Sequence, residues 1–147
     1  KALVAFLMQT VQIAVVLALG ALIFGYRPTG SLVALAAILL SFSAVLSALG
    51  VALALWSRSR DTALSLSNII GMLAAGIGGS FSTVSSFPDW AQHAARLSPA
   101  YWAITAIHEV SLDGASLSEV GTRIGVLWGF FAMIAGLALI QFRYHRE

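Results

Sequence analysis

Residues 28–57 read PTGSLVALAAILLSFSAVLSALGVALALWS, thirty consecutive positions without a charged side chain. A helix needs about 20 apolar residues to cross the hydrocarbon core of a bilayer. This run exceeds that length, and its neighbours are of the same kind. Ala2 to Tyr26, Thr62 to Pro88 and Ile124 to Phe142 also carry no charge. Together they predict an all-α integral membrane domain with four transmembrane helices, over about 2–25, 31–56, 62–82 and 119–142.

The whole composition agrees. The chain has 147 residues, 59% hydrophobic and 10% charged, with a mean hydropathy of +0.91. Soluble domains carry about 25% charged residues, and a domain this small has too much surface to hide so much apolar side chain. A soluble enzyme and a disordered chain are both excluded. The net charge is +2, with no basic tract to neutralise phosphates, so nucleic acid is not a partner. There is no cysteine, hence no disulfide framework, thiolate metal site or thiol nucleophile. A secretory signal is the rival reading of the first run, with cleavage at Ala18-Leu19-Gly20. The apolar stretch continues to Phe24, too long for a signal core. A chain that opens on Lys1 and runs straight into apolar sequence reads as a fragment of a longer membrane protein, one membrane domain over 1–147.

The connections are short. Tyr26-Arg27-Pro28-Thr29-Gly30 reads as a tight turn. Ser57-Arg58-Ser59-Arg60-Asp61 reads as a second, with Arg58 and Arg60 expected at a helix C-terminus and Asp61 at the next N-terminus, both favoured by the helix dipole. Orientation follows the basic residues. Lys1, Arg58, Arg60, Arg143 and Arg146 fall on one side, and Arg27, Arg96 and Arg123 on the other. The larger group is cytoplasmic by the positive-inside rule, which places both termini of this chain in the cytoplasm. Trp56, Trp90, Trp102, Tyr26 and Tyr144 fall near the span ends, where an aromatic belt belongs.

Residues 83–118 are too polar for a span and too aromatic for an ordinary loop. Pro88 opens one short helix, about 88–97, and Ser98-Pro99 opens another, about 99–112, with Ser98 as N-cap. Both are too short to cross, so they are expected as interfacial or re-entrant helices on the outer side. In the second, Trp102, Ala103, Ala106, Ile107 and Val110 share a face. Asp113-Gly114 turns the chain, and Ser116 with Glu119 predicts a capping box.

Gly71, Ala75 and Gly79 recur every four residues in the third span, the spacing that lets another helix approach closely or leaves room for a groove. Gly76-Ile77-Gly78-Gly79-Ser80 predicts either fraying or an unwound corner at a translocation path. Asn68, Ser65 and Ser67 are the polar residues of that span, with Gln9, Thr10 and Gln12 as counterparts in the first. No acidic or basic residue falls at a bilayer centre, which argues against a proton relay. Catalytic patterns are incomplete. Gly78-Gly79-Ser80-Phe81 lacks the last glycine of the intramembrane serine protease motif Gly-x-Ser-Gly. His108-Glu109 lacks the second histidine of a zinc-protease helix, and no phosphate-binding loop is present. No catalytic residue and no metal ligand is assigned.

The order of elements resembles the permease subunits of type-2 ABC exporters, the ABC-2 family. Gly78-Gly79-Ser80-Phe81, then Phe87-Pro88-Asp89-Trp90, then Leu97-Ser98-Pro99-Ala100-Tyr101-Trp102-Ala103-Ile104 follow that family's order and spacing over about 65–143. The turn at 58–61 is similar to the family's short cytoplasmic loop before the fifth span. Two departures stand out: Ser82-Thr83 where many members have a proline, and Ser86-Phe87-Pro88 where many have Leu-Pro. The resemblance implies that the four spans are the third to sixth of six, the C-terminal portion of a permease. It implies a dimer of permeases, homo- or heteromeric, in the inner (plasma) membrane, driven by a separate ABC ATPase subunit that holds ATP and Mg, with no cofactor in this chain. The function it implies is efflux of a small or amphipathic molecule. Asn68, Gly71, Ala75, Gly76 and Gly79 are the expected pathway or packing residues, and Pro88, Trp90, Pro99, Tyr101 and Trp102 the expected external gate. The competing class is a membrane scaffold or assembly subunit, in which the small-residue stripe only holds helices together.

Overall fold

The computed structural model describes residues 2–25 and 29–144. Lys1, Tyr26, Arg27, Pro28, His145, Arg146 and Glu147 lie outside the described residues, as do the side chains of Ala2, Phe24 and Tyr144. The described chain is all-helical, with six α-helices: α1 (Ala2–Phe24), α2 (Leu32–Trp56), α3 (Arg60–Ile77), α4 (Asp89–Ala95), α5 (Pro99–Leu112) and α6 (Leu117–Tyr144), with one 3-10 turn, Val84–Ser86, before α4. Three stretches are long and apolar enough to cross a membrane: Leu3–Ile23, Leu32–Trp56 and Leu117–Arg143.

The third expected span is the exception. The sequence predicts helix over 62–82, but α3 stops at Ile77. The stop is built, not frayed. Gly79 has φ +95°, its N–H bonds to the Gly76 carbonyl at 3.3 Å, and the Ser80 N–H bonds back to Ala75 at 3.0 Å. This pair of bonds around a left-handed residue is the Schellman motif, and glycine suits it because it has no Cβ to clash. The start of α3 also differs from expectation. Arg60 belongs to the first turn of α3, not to the end of α2, because Ser59 caps the helix by accepting from the Thr62 N–H at 3.1 Å. Asp61 sits in that first turn, where the dipole favours it.

α2 and α3 are antiparallel neighbours joined by residues 57–59. At 1.5 Å per residue, the 25 residues of α2 rise about 37 Å and the 18 of α3 about 27 Å, so α3 ends about 10 Å short of the start of α2. α5 occupies that gap. Its first residues meet the end of α3, and its last turn meets the start of α2, where the Gly30 N–H bonds to the Val110 carbonyl at 2.9 Å. A Cβ on Gly30 would stand 2.5 Å from that oxygen and 2.7 Å from the Ala115 carbonyl, so only glycine fits.

The core lies where α2, α5 and α6 meet. Ala34, Leu35, Ile38 and Val45 of α2 pack with Ala103, Ala106 and Val110 of α5 and with Val120 and Leu127 of α6. The alanines let the helix axes come close. Trp102 and Ile107 lie at the edge of this core, half-buried. α5 is therefore packed against three helices, while α4 is largely exposed, with Trp90 at 75%. Gly114 turns the chain with φ +71°. The capping box forms in one direction: the Ser116 N–H donates to the Glu119 carboxylate at 2.5 Å, while the Ser116 hydroxyl pairs with Ser118.

α2 and α6 run parallel, and α1 and α3 run against them. The result groups charges at the two ends, with Asp61 beside the arginines at one of them. Arg58, Arg60 and Arg143 share the end where α2 and α6 finish. Glu109, Asp113, Glu119 and Arg123 share the end where they start.

Candidate functional site

Four helices leave a cavity of about 560 Å³ between them. Its walls are Gln9 of α1, Phe42, Leu46 and Leu53 of α2, Ser67, Asn68, Gly71 and Ala75 of α3, and Pro99, Ala100 and Ile104 of α5. Ser80 lies at its rim, beyond the α3 stop. Among the described residues the polar groups are two carboxamides and two hydroxyls, and no charged side chain lines the cavity. Neither Gln9 nor Asn68 has a hydrogen-bond partner among the described residues.

The corner of α3 and α5 shapes this cavity. The Ser98 hydroxyl, expected to cap its own helix, instead donates to the Ala74 carbonyl at 2.9 Å. A Cβ on Gly78 would stand 2.8 Å from Ala100 Cβ and 2.9 Å from the Tyr101 nitrogen. Two helix ends that approach so closely can hold the first turn of α5 against the last turn of α3 without a side chain between them.

Of the expected pathway residues, Asn68, Gly71 and Ala75 line the cavity. A Cβ on Gly76 would stand 3.7 Å from the ring of Phe81, and Gly79 serves the helix stop against Val84. Gly71 meets nothing within 4 Å of an added Cβ, so it leaves space rather than making a contact within this chain. Of the expected gate residues, Pro99 lines the cavity. Pro88 caps α4, and Trp90 projects from α4.

Tyr101 and Trp102 belong to a second cluster. Their rings meet edge to face at 5.4 Å. The Trp102 indole N–H donates to the Arg96 carbonyl at 2.8 Å. Arg123 of α6 lies 5.8 Å over the Trp102 ring and makes a two-pronged salt bridge with Glu109, with its Nε donating at 2.7 Å. An arginine that is both stacked and forked is held in one orientation. Glu109, Asp113, Glu119 and Arg123 line an open polar pocket of about 490 Å³ beside this cluster. A third cavity, about 670 Å³ between α1, α2 and α6, is apolar apart from Ser47.

The sequence reading missed the close approach of Gly78 to α5, Ser98 as a tie between helices, and the Glu109–Arg123 pair. Opposite charges on consecutive helices that flank a single turn are a legible signal for the pair. Nothing local in the sequence marks the partner of Ser98.

Ser80 at the cavity rim has neither His93 nor His108 beside it; His93 bonds the Asp89 carbonyl at 2.7 Å, and His108 is exposed. The arrangement is that of a solute-sized space between helices. No curated protein and no solved structure matches the chain. A family model described as ABC-2 family transporter protein matches residues 1–140. Proteins of this family are non-catalytic transport domains that work with an ATPase. With nearly its whole length matched, the chain belongs to the ABC-2 family of membrane transporters.

Proposed function

We propose that this chain is the permease portion of an ABC-2 type exporter that moves a small or amphipathic molecule out of the cytoplasm, powered by a separate ATPase subunit. The observation that carries the reading is the cavity at the α3–α5 corner in a chain whose family is one of transporters. A solute space closed at one end by a packed short helix fits alternating access, in which one end opens as the other shuts.

In this reading α1, α2 and α6 cross the membrane, and α3 with α5 completes a fourth crossing as two pieces. The arginine end, with Arg58, Arg60 and Arg143, faces the cytoplasm by the positive-inside rule. The acidic end, with α4 and α5, faces outward. Pro88, Trp90, Pro99, Tyr101 and Trp102 then form the external gate, and Asn68, Gly71, Ala75, Gly76 and Gly79 the inner wall of the pathway or its packing. A second permease completes the dimer in the plasma membrane.

The test is an affinity pull-down of the full-length native protein in mild detergent, with partners identified by mass spectrometry and ATP hydrolysis assayed in the eluate. A stoichiometric ATPase is the expected result. A clean eluate in two gentle detergents, with no hydrolysis, overturns the transport reading in favour of a scaffold.

A further inference from the structure

We infer that the cavity between α1, α2, α3 and α5 takes an uncharged amphipathic molecule, its polar group between the carboxamides of Gln9 and Asn68 and its apolar body along Phe42, Leu46 and Ile104. This names a substrate class for the transport reading and rests on it for the word substrate.

Size comes first. Small-molecule sites occupy roughly 300–1,000 Å³, and this cavity is about 560 Å³. Charge comes next. With no ionised side chain in the wall, a charged ligand group would enter without a counter-charge, and that desolvation is uncompensated. The polar groups come last. A carboxamide both donates and accepts, so two of them accommodate an amide, a hydroxyl or a carbonyl equally. They stand on separate helices, Gln9 half-buried and Asn68 exposed, and lack partners among the described residues; where lipid replaces water around them, a polar partner is favoured. The rest of the wall is aliphatic or aromatic, which suits an apolar body.

The test uses the full-length protein in phosphatidylcholine nanodiscs without ATP. The probes are decanamide, decanoate and decyltrimethylammonium, read by saturation-transfer NMR against empty nanodiscs. Saturable decanamide binding is expected, with both ionic probes at least tenfold weaker. Gln9→Leu and Asn68→Leu should each weaken decanamide up to about tenfold, the worth of one hydrogen bond. Ser67→Cys gives a second readout that leaves both carboxamides in place. This chain has no cysteine of its own, and maleimide labelling at that position should slow when decanamide is added.

Equal binding of the three probes, or decanamide binding indifferent to both leucine variants in monodisperse protein, overturns the inference. So does Ser67→Cys that cross-links between copies and ignores decanamide, because a second copy's helix then fills the cavity. The two readings fail separately. Decanamide bound through Gln9 and Asn68 with no ATP-driven export of any solute removes transport alone. Intact export with no decanamide binding removes this inference alone.

Discussion

The Ser98 hydroxyl donates to the Ala74 carbonyl at 2.9 Å, joining residues 24 apart at the point where α3 ends and α5 begins. Ala74 also accepts the Gly78 N–H at 2.8 Å, so one carbonyl closes its own helix and anchors the next. This bond, with the glycine contact beside it, fixes the corner over the cavity.

Ser98→Ala should lower stability by about 1 kcal/mol, the net worth of a hydrogen bond whose acceptor keeps a second partner. Thermal unfolding in nanodiscs checks this. A melting temperature unchanged from wild type would show that the tie contributes nothing.

Gly78 and Gly71 should separate fold from pathway. Gly78→Val puts a branched side chain where even a lone Cβ would stand 2.8 Å from Ala100 Cβ, and overpacking of this kind costs about 1–3 kcal/mol. Gly71→Leu meets open space at its Cβ and extends into the cavity. It should keep the melting temperature and lose decanamide binding. Equal destabilisation by the two variants would contradict this assignment.

Glu109 and Arg123 should be energetically coupled. Their side chains are 28% and 26% exposed, so screening limits the pair to about 1 kcal/mol in a double-mutant cycle of Glu109→Gln and Arg123→Gln. The coupling should shrink at high salt. A coupling of zero in low salt would make the bridge incidental.

Trp102→Ala removes the ring beneath Arg123 and the bond to Arg96 together. If α5 is part of an external gate, export per folded protein should fall more than expression does. Trp102→Phe keeps a ring for Arg123 and should lie between. Equal loss of expression and export in Trp102→Ala would make the residue an anchor only.

Much of the fold was legible in the residues. Uncharged runs of membrane length mark α1, α2 and α6, because hydrocarbon tolerates a helix only when its side chains are apolar and its backbone bonds internally. Pro99 after Ser98 marks the start of α5, because proline at the first helical position forfeits no bond. The end of α3 was half legible. The glycines at 76, 78 and 79 signal an interruption, but a stop and a fray share the same composition. They differ in whether Ser80 and Gly79 find the carbonyls of Ala75 and Gly76.

The chemistry of the cavity was present in the sequence as residue types and absent as a place. Gln9 and Asn68 are visible as polar interruptions of apolar runs. They line one cavity because α1 and α3 both pack against α2. Composition and periodicity thus establish the solvent of this chain, its helical class and the ends of its long helices, because each of these depends on neighbours within a few residues. The packing of α5 into the core, the change of Ser98 from cap to tie, and the union of two carboxamides around one space arise from contacts between residues far apart in the chain. Those contacts follow from how closely small side chains let helices approach, which is a property of pairs of helices and not of any one run of sequence.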